Sequence, residues 1–148
     1  MLNPSFSICI PNYNYGKYIG KAIESVLFQE YGNFEIIISD NCSSDDSIDV
    51  IESYNDARLN LIKNNYNIGY SANLTKVTSF ARNDFLIFLP SDDFLRPGAL
   101  KDCALIISRY KEEIDNLILS FQIEQINEGD ENTFSSVSNL PYFNKYKN

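Results

Sequence analysis

Residues 6–40 read FSICIPNYNYGKYIGKAIESVLFQEYGNFEIIISD, and the spacing of their apolar residues changes twice. Phe6 to Pro11 is a short apolar run. Lys17 to Gln29 then sets Ile19, Ala22, Ile23, Val26 and Leu27 on one helical face. Phe34 to Asp40 returns to a β-branched run too continuous to alternate, which is the pattern of a strand buried on both sides. Strand, loop, helix and strand in this order predict a βαβ unit, whose two strands run parallel.

The same unit recurs downstream. A Ser/Asp cluster leads into a helix from about Asp46 to Tyr54, with Ser43 or Ser44 as its cap. Arg58 to Lys63 reads as a third strand. Tyr70 to Arg82 reads as a helix with Tyr70, Leu74, Val77 and Ala81 on one side. Asp84 to Leu89 is a fourth strand, and Pro97 in a first helical turn opens a stripe of Leu100, Cys103, Ala104 and Ile107. A fifth strand alternates Leu117, Leu119, Phe121 and Ile123 with Ile118, Ser120, Gln122 and Glu124. Alternating elements of this kind predict an α/β fold: an open, mainly parallel sheet with helices on both faces. The regular pattern fades after Ile126. Residues 1–113 are therefore expected to form one α/β domain, and 114–148 the fifth strand and the start of a further region.

Composition excludes several functions. The 148 residues carry 12 Lys and Arg against 20 Asp and Glu, a formal charge of −8. Nucleic acid is not an expected partner, because backbone binding needs clustered cations that release counterions. The chain has no His, which removes imidazole-based triads, HExxH zinc sites and imidazole proton shuttles. Carboxylates must carry any acid-base or metal chemistry. Cys9, Cys42 and Cys103 lie far apart with no CxxC spacing and are expected to be reduced packing residues. With no basic leader and no apolar run of bilayer length, the expectation is a cytoplasmic chain without a transmembrane segment.

In open parallel sheets, ligands bind beyond the carboxyl ends of the strands. Three loops fall there: Pro11-Asn12-Tyr13-Asn14-Tyr15-Gly16, Asp40-Asn41-Cys42-Ser43-Ser44-Asp45, and Pro90-Ser91-Asp92-Asp93. Asp92 and Asp93 repel each other unless a cation sits beside them. A hard divalent ion, Mn²⁺ or Mg²⁺, suits such a pair when substrate phosphates complete its shell. The simpler reading is a solvated turn before the next helix. Asp40 either accepts a hydrogen bond from a base or ribose, or closes a turn. Tyr13 either stacks on a base or seals the first helix against the sheet. Asn73 and Arg82 are candidate sugar or phosphate contacts, or else plain surface polar residues. No GxGxxG follows the first strand, so a dinucleotide-binding fold is disfavoured.

Taken together, SICIPNYNYGKYIGKAIESVLFQEYGNFEIIISDNCSSDDSIDVI, NNYNIGYSANLTK and ARNDFLIFLPSDDFLRPGALKD resemble the family 2 glycosyltransferases of the GT-A fold over roughly residues 5 to 105. The resemblance implies that Pro11, Tyr13 and Asp40 hold the base of a nucleoside-diphosphate sugar, expected to be a uridine one. It further implies that Asp92 meets ribose or metal and that Asp93 meets metal. Members often carry an acid where this chain has Pro90. The implied reaction is a metal-dependent, inverting transfer to an acceptor hydroxyl on a glycan or lipid-linked glycan. Such acceptors would place the full-length protein at the inner face of a membrane. The alternative is a binding module that holds the donor without turnover. The resemblance also puts the catalytic base beyond Asn148; Glu124, Glu128, Asp130 and Glu131 are the late carboxylates here, and none is assigned as base.

Overall fold

The computed structural model describes residues 3–110. The expected fifth strand and the late carboxylates lie outside the described residues. Among the described residues eight elements alternate: β1 (Phe6–Asn12), α1 (Gly16–Leu27), β2 (Phe34–Asp40), α2 (Ser47–Glu52), β3 (Leu59–Lys63), α3 (Tyr70–Ser79), β4 (Phe85–Phe88) and α4 (Ala99–Arg109). All the strand pairs are parallel, in the order β3-β2-β1-β4. The α/β expectation holds for these elements.

Every residue of β1 and β2 is buried, which is why neither strand alternates in sequence. Cys9 and Ile37 face Val77 of α3. Ile8, Ile10, Ile36 and Ile38, also fully buried, point to the other face by the period of two. The chain steps from β1 to β2 to β3 in one direction and then crosses back to β4. Right-handed crossovers therefore put α1 and α2 on one face and α3 on the other. Just past the end of α2, the Tyr54 hydroxyl donates to the Gly20 carbonyl of α1 at 3.2 Å.

Several local expectations change. Tyr70 is 65% exposed; the buried positions of α3 are Asn73 and Val77, with Leu74 and Ala81 partly packed against the core. An apolar count missed this register because a buried amide holds one of its positions. The cap of α2 is neither Ser43 nor Ser44. The Asp45 carboxylate instead takes the Ser47 N–H at 3.1 Å and the Gly16 N–H at 2.8 Å, so one anion serves the positive ends of two helices. Burial works against that charge, but the bonds from Ser47 and Gly16 outweigh it and hold the Asp45 carboxyl below its ordinary value. The junction is tight at Gly16, where a Cβ would lie 1.8 Å from Asp46 Oδ1 and 3.0 Å from Ser47 N, so that the Asp46 side chain would have to turn away. The last helix starts at Ala99 rather than Pro97, since Gly98 takes a left-handed φ of +80°. Cys9 and Cys103 are buried as expected, whereas Cys42 is exposed.

Arg82 is not at the ligand edge. It lies at the amino-terminal end of the sheet, where its guanidinium donates to Glu35 Oε2 at 2.7 and 3.1 Å and its N–H donates to Oε1 at 2.9 Å. Ser7 Oγ adds a bond to Oε1 at 2.7 Å. Burial alone would raise the Glu35 carboxyl, yet the bonds from Arg82 and Ser7 prevail and hold it below its ordinary 4.5. A depressed folded value contributes stability above the unfolded value, and that stability is lost as pH falls through the folded one. The denaturation midpoint is expected to fall as pH drops below about 4.5. Urea titrations of Glu35→Gln at a series of pH values should show a shallower fall than the parent; an identical slope would exclude this group as a source.

Candidate functional site

The order β3-β2-β1-β4 reverses direction at β1, so the crevice between the carboxyl ends of β1 and β4 is the topological switch point. Pro11 helps to open it. Odd residues of β1 face β4, the Ser5 and Cys9 carbonyls accepting from Phe85 N–H and Leu89 N–H at 3.0 Å each. Pro11 has no N–H to continue that ladder, and pairing with β4 stops at Cys9 and Phe88 while pairing with β2 runs on to Asn12 and Asp40. The freed Pro11 carbonyl accepts the Ser91 hydroxyl at 2.8 Å. That buried bond ties the PSDD turn to the first loop. The turn itself closes through Asp93 N–H to the Pro90 carbonyl at 3.1 Å.

Asp92 is exposed and Asp93 half-buried. Burial, and then the adjacent Asp92 charge, push the Asp93 carboxyl above its ordinary value. Neither forms an ion pair among the described residues. Among the described residues no group of three or more His, Cys, Asp or Glu converges to hold a metal. Two carboxylates with uncompensated repulsion fit a Mn²⁺ or Mg²⁺ whose remaining ligands are water and a diphosphate, because Mg²⁺ sites commonly take one or two carboxylates plus substrate phosphates.

The first and second loops are joined through Asp40, which is 1% exposed. Its Oδ2 accepts from Asn12 Nδ2 at 2.8 Å and Ser43 Oγ at 2.6 Å, and its Oδ1 accepts the Ser43 N–H at 2.9 Å. Ser43 Oγ in turn accepts the Asn14 N–H at 2.9 Å, and Asn14 Oδ1 accepts the Ser44 N–H at 2.8 Å. Asn14 and Cys42 both adopt left-handed φ, +57° and +64°, so each loop turns sharply into the other. Asn12 Oδ1 is buried with no hydrogen-bond partner among the described residues. Tyr13 stands beside this junction at 44% exposure, with its ring on the surface.

A chain of amides continues outward from Asn41, which is 3% exposed. Asn41 N–H donates to the Asn12 carbonyl at 2.8 Å. Its Oδ1 accepts from Asn64 Nδ2 at 3.1 Å and Ile68 N–H at 2.9 Å, and its Nδ2 donates to Asn67 Oδ1 at 2.8 Å. Asn73 belongs beneath this layer. It is 2% exposed; its Oδ1 accepts from Ser39 Oγ at 2.7 Å and Asn64 Nδ2 at 2.9 Å, while its Nδ2 donates to the Ser39 carbonyl at 2.8 Å. This geometry makes Asn73 a clamp between β2 and α3 rather than a group presented to a sugar.

Of the residues singled out in sequence, Pro11, Tyr13, Asp40, Asp92 and Asp93 thus come to one edge, Asn73 lies under it and Arg82 is at the far end. Ser91, Asn41, Asn64 and Asn67 were passed over. A serine or a hydrogen-bonding amide has no periodicity to mark it; for Asn64 and Asn67 the abundance of Asn in residues 60–73 is a signal that could have found them.

The described residues therefore define an open α/β domain whose first and second strand loops meet, at a switch point, the two-carboxylate turn that follows the fourth strand. The profile of Glycosyl transferase family 2 matches residues 7–147, and the chain belongs to that family. It is 30% identical over 113 residues to the poly(ribitol-phosphate) beta-N-acetylglucosaminyltransferase TarS of Staphylococcus aureus, covering 74% of this chain and 20% of TarS. It is 41% identical over 88 residues to the UDP-Glc:alpha-D-GlcNAc-diphosphoundecaprenol beta-1,3-glucosyltransferase WfaP of Escherichia coli, covering 60% of this chain and 35% of WfaP. The crystal structure of TarS residues 1–349 with UDP-GlcNAc superposes with a TM-score of 0.69 over 72% of this chain and 32% of that one, at 30% identity. The fold is GT-A. The chain spans between 20% and 50% of the length of the curated relatives it matches.

Proposed function

We propose that residues 1–113 form the donor-binding part of a glycosyltransferase that takes a uridine-diphosphate sugar and, with Mn²⁺ or Mg²⁺, passes the sugar to an acceptor hydroxyl with inversion. The observation that carries this reading is the Ser91 to Pro11 bond, which fixes the carboxylate turn beside the aromatic first loop. A nucleotide laid across that junction has its base at Tyr13 and its diphosphate at Asp92 and Asp93. TarS, whose structure includes UDP-GlcNAc, and WfaP, whose name specifies UDP-Glc and a diphosphoundecaprenol acceptor, support a uridine donor and a lipid-linked glycan acceptor. Such an acceptor is anchored in a bilayer, which favours work at the cytoplasmic face of a membrane. Among the described residues no helix is long and apolar enough to cross one.

In this reading the chain's own residues position the donor. Tyr13 orients the base, and the clamped loops keep the diphosphate over Asp92 and Asp93. A bound divalent ion would supply neutralisation of the departing diphosphate. Inversion requires a carboxylate base on the acceptor side, and residues 114–148 are assigned to the start of that region.

Titration calorimetry with UDP, GDP and inorganic pyrophosphate in Mn²⁺ tests the reading. UDP should bind, and Tyr13→Ala should weaken it by about 1 kcal/mol while leaving pyrophosphate unchanged, because a stacked ring contributes nothing to phosphate. Absence of nucleoside-diphosphate binding would refute the donor role; equal losses for both ligands would make Tyr13 a loop-packing residue.

A further inference from the structure

We infer that Ser25 of α1 and Gln29, two residues past its end, are positioning residues for the carboxylate turn: they grip the main chain that follows Asp92 and Asp93 and so set the pair in place for a divalent ion. The inference rests on the metal-assisted donor reading above and names the residues that govern the hold of that same site.

Asp92 and Asp93 lie in a five-residue span, Ser91 to Leu95, whose ends are tied to different elements. At the front, the Ser91 hydroxyl donates to the Pro11 carbonyl of β1 at 2.8 Å. At the back, the Leu95 N–H donates to Ser25 Oγ at 3.0 Å. The Ser25 hydroxyl proton is already committed to the Ala22 carbonyl at 2.7 Å, so the lone pairs of Oγ are what it offers to Leu95. Between these two ties the Lys21 ammonium of α1 lies 4.3 Å from the centre of the Phe94 ring, the residue directly after Asp93.

Gln29 takes hold one residue further on. Its Nε2 donates to the Ser25 and Arg96 carbonyls at 2.9 Å each, and its Oε1 accepts the Leu100 N–H at 3.3 Å. The Arg96 carbonyl can only accept and the Leu100 N–H can only donate, which fixes the way round that the buried Gln29 amide stands. Leu100 belongs to the first turn of α4, where N–H groups have no partner within the helix. One side chain therefore ties the end of α1 to both the segment leaving the turn and the helix that follows.

These ties matter because residues 89–98 form neither strand nor helix. Regular main-chain bonding does not hold the turn, and repulsion between Asp92 and Asp93 favours any rearrangement that parts them. A span fastened at both ends cannot open without breaking a fastening. Ligands ordered in advance spare an arriving ion the cost of ordering them.

The first readout needs no ligand. In amide exchange of the full 148-residue chain, the Leu95 N–H should be protected in the parent and in Ser25→Thr, which retains a hydroxyl. In Ser25→Ala it should exchange about tenfold faster, with the amides of β1 and β2 unchanged. The second readout is calorimetry with UDP, in Mn²⁺ and in EDTA, with melting temperatures as the folding control. Ser25→Ala and Gln29→Met should each lower UDP affinity in Mn²⁺ by about tenfold and leave the affinity in EDTA unchanged, and Ser25→Thr should restore the parent value. In an Asp93→Ala background the same two substitutions should have little further effect, since the group they position is gone; a general loosening of the fold would act equally in both backgrounds. If Ser25→Ala keeps the parent's protection at Leu95 or its ratio of affinities in Mn²⁺ and EDTA, or if its loss is as large beside Asp93→Ala, the inference is overturned and the donor reading survives. Should Gln29→Met not fold, the Ser25 variants decide alone. A parent that binds UDP equally in Mn²⁺ and EDTA, or not at all, overturns the metal-assisted reading and this inference together.

Discussion

Removing the divalent ion with EDTA is expected to reduce UDP affinity by at least tenfold, and Asp93→Ala is expected to do the same in the presence of metal. A diphosphate set beside Asp92 and Asp93 brings like charges within a few ångströms. At an effective dielectric of about 20, one such pair about 5 Å apart costs roughly 3 kcal/mol, a factor of about a hundred. A divalent ion between them reverses the sign. The two treatments should also cross. Without metal, Asp93→Ala has lost a repulsive charge and should bind UDP at least as well as the parent; with metal it has lost a ligand and should bind worse. The substitution leaves the turn intact, because the bond from residue 93 to the Pro90 carbonyl uses the main chain. A merely misfolded loop would be weaker in both conditions. Equal parent affinity with and without EDTA would end the metal role of both carboxylates.

The fold was legible where burial is two-sided and apolar. The runs at Phe6 to Pro11 and Phe34 to Asp40 are so continuous because β1 and β2 are buried along their whole length. Legibility failed where polar groups occupy interior positions. Asn73 stands at a core position of α3 that an apolar stripe assigns to others, which is how Tyr70 came to be placed inward. Asp45 replaced the expected serine caps because Ser43 is already engaged with Asp40 and Asn14. The site divides in the same way. Acids at strand ends are visible in sequence because their charge is unusual there. The bond from Ser91 to Pro11 joins residues 80 apart, and nothing local in either segment announces it. Arg82 shows the converse: a cation following a helix reads as a phosphate contact until the sheet places Glu35 against it.

Asp40→Ala should lower the stability of the chain by about 3 kcal/mol, a large effect for one substitution at a strand end. The carboxylate is 1% exposed and accepts from Asn12 Nδ2, Ser43 Oγ and the Ser43 N–H; alanine leaves these donors without their charged acceptor in a place where water does not enter freely. Asp40→Asn should behave differently. The carboxylate now forces Asn12 to point its nitrogen inward, which strands Asn12 Oδ1 as a buried acceptor without a partner among the described residues. With an amide at position 40, Asn12 can turn over and offer that oxygen to the new N–H, its Nδ2 taking the unpartnered place in exchange, while the Ser43 N–H keeps an oxygen to donate to. Most of the stability lost in the alanine variant should therefore return, as read from urea midpoints of the two variants. The same pair separates the two roles open to Asp40. If its charge also receives a donor from the base, Asp40→Asn will be stable but bind UDP more weakly than the parent, by about 1 to 3 kcal/mol. If Asp40 acts solely as the fastening between the first and second loops, UDP affinity will recover together with stability. A destabilisation in Asp40→Asn as large as in Asp40→Ala would refute the amide exchange with Asn12 and show that the loops depend on the charge itself.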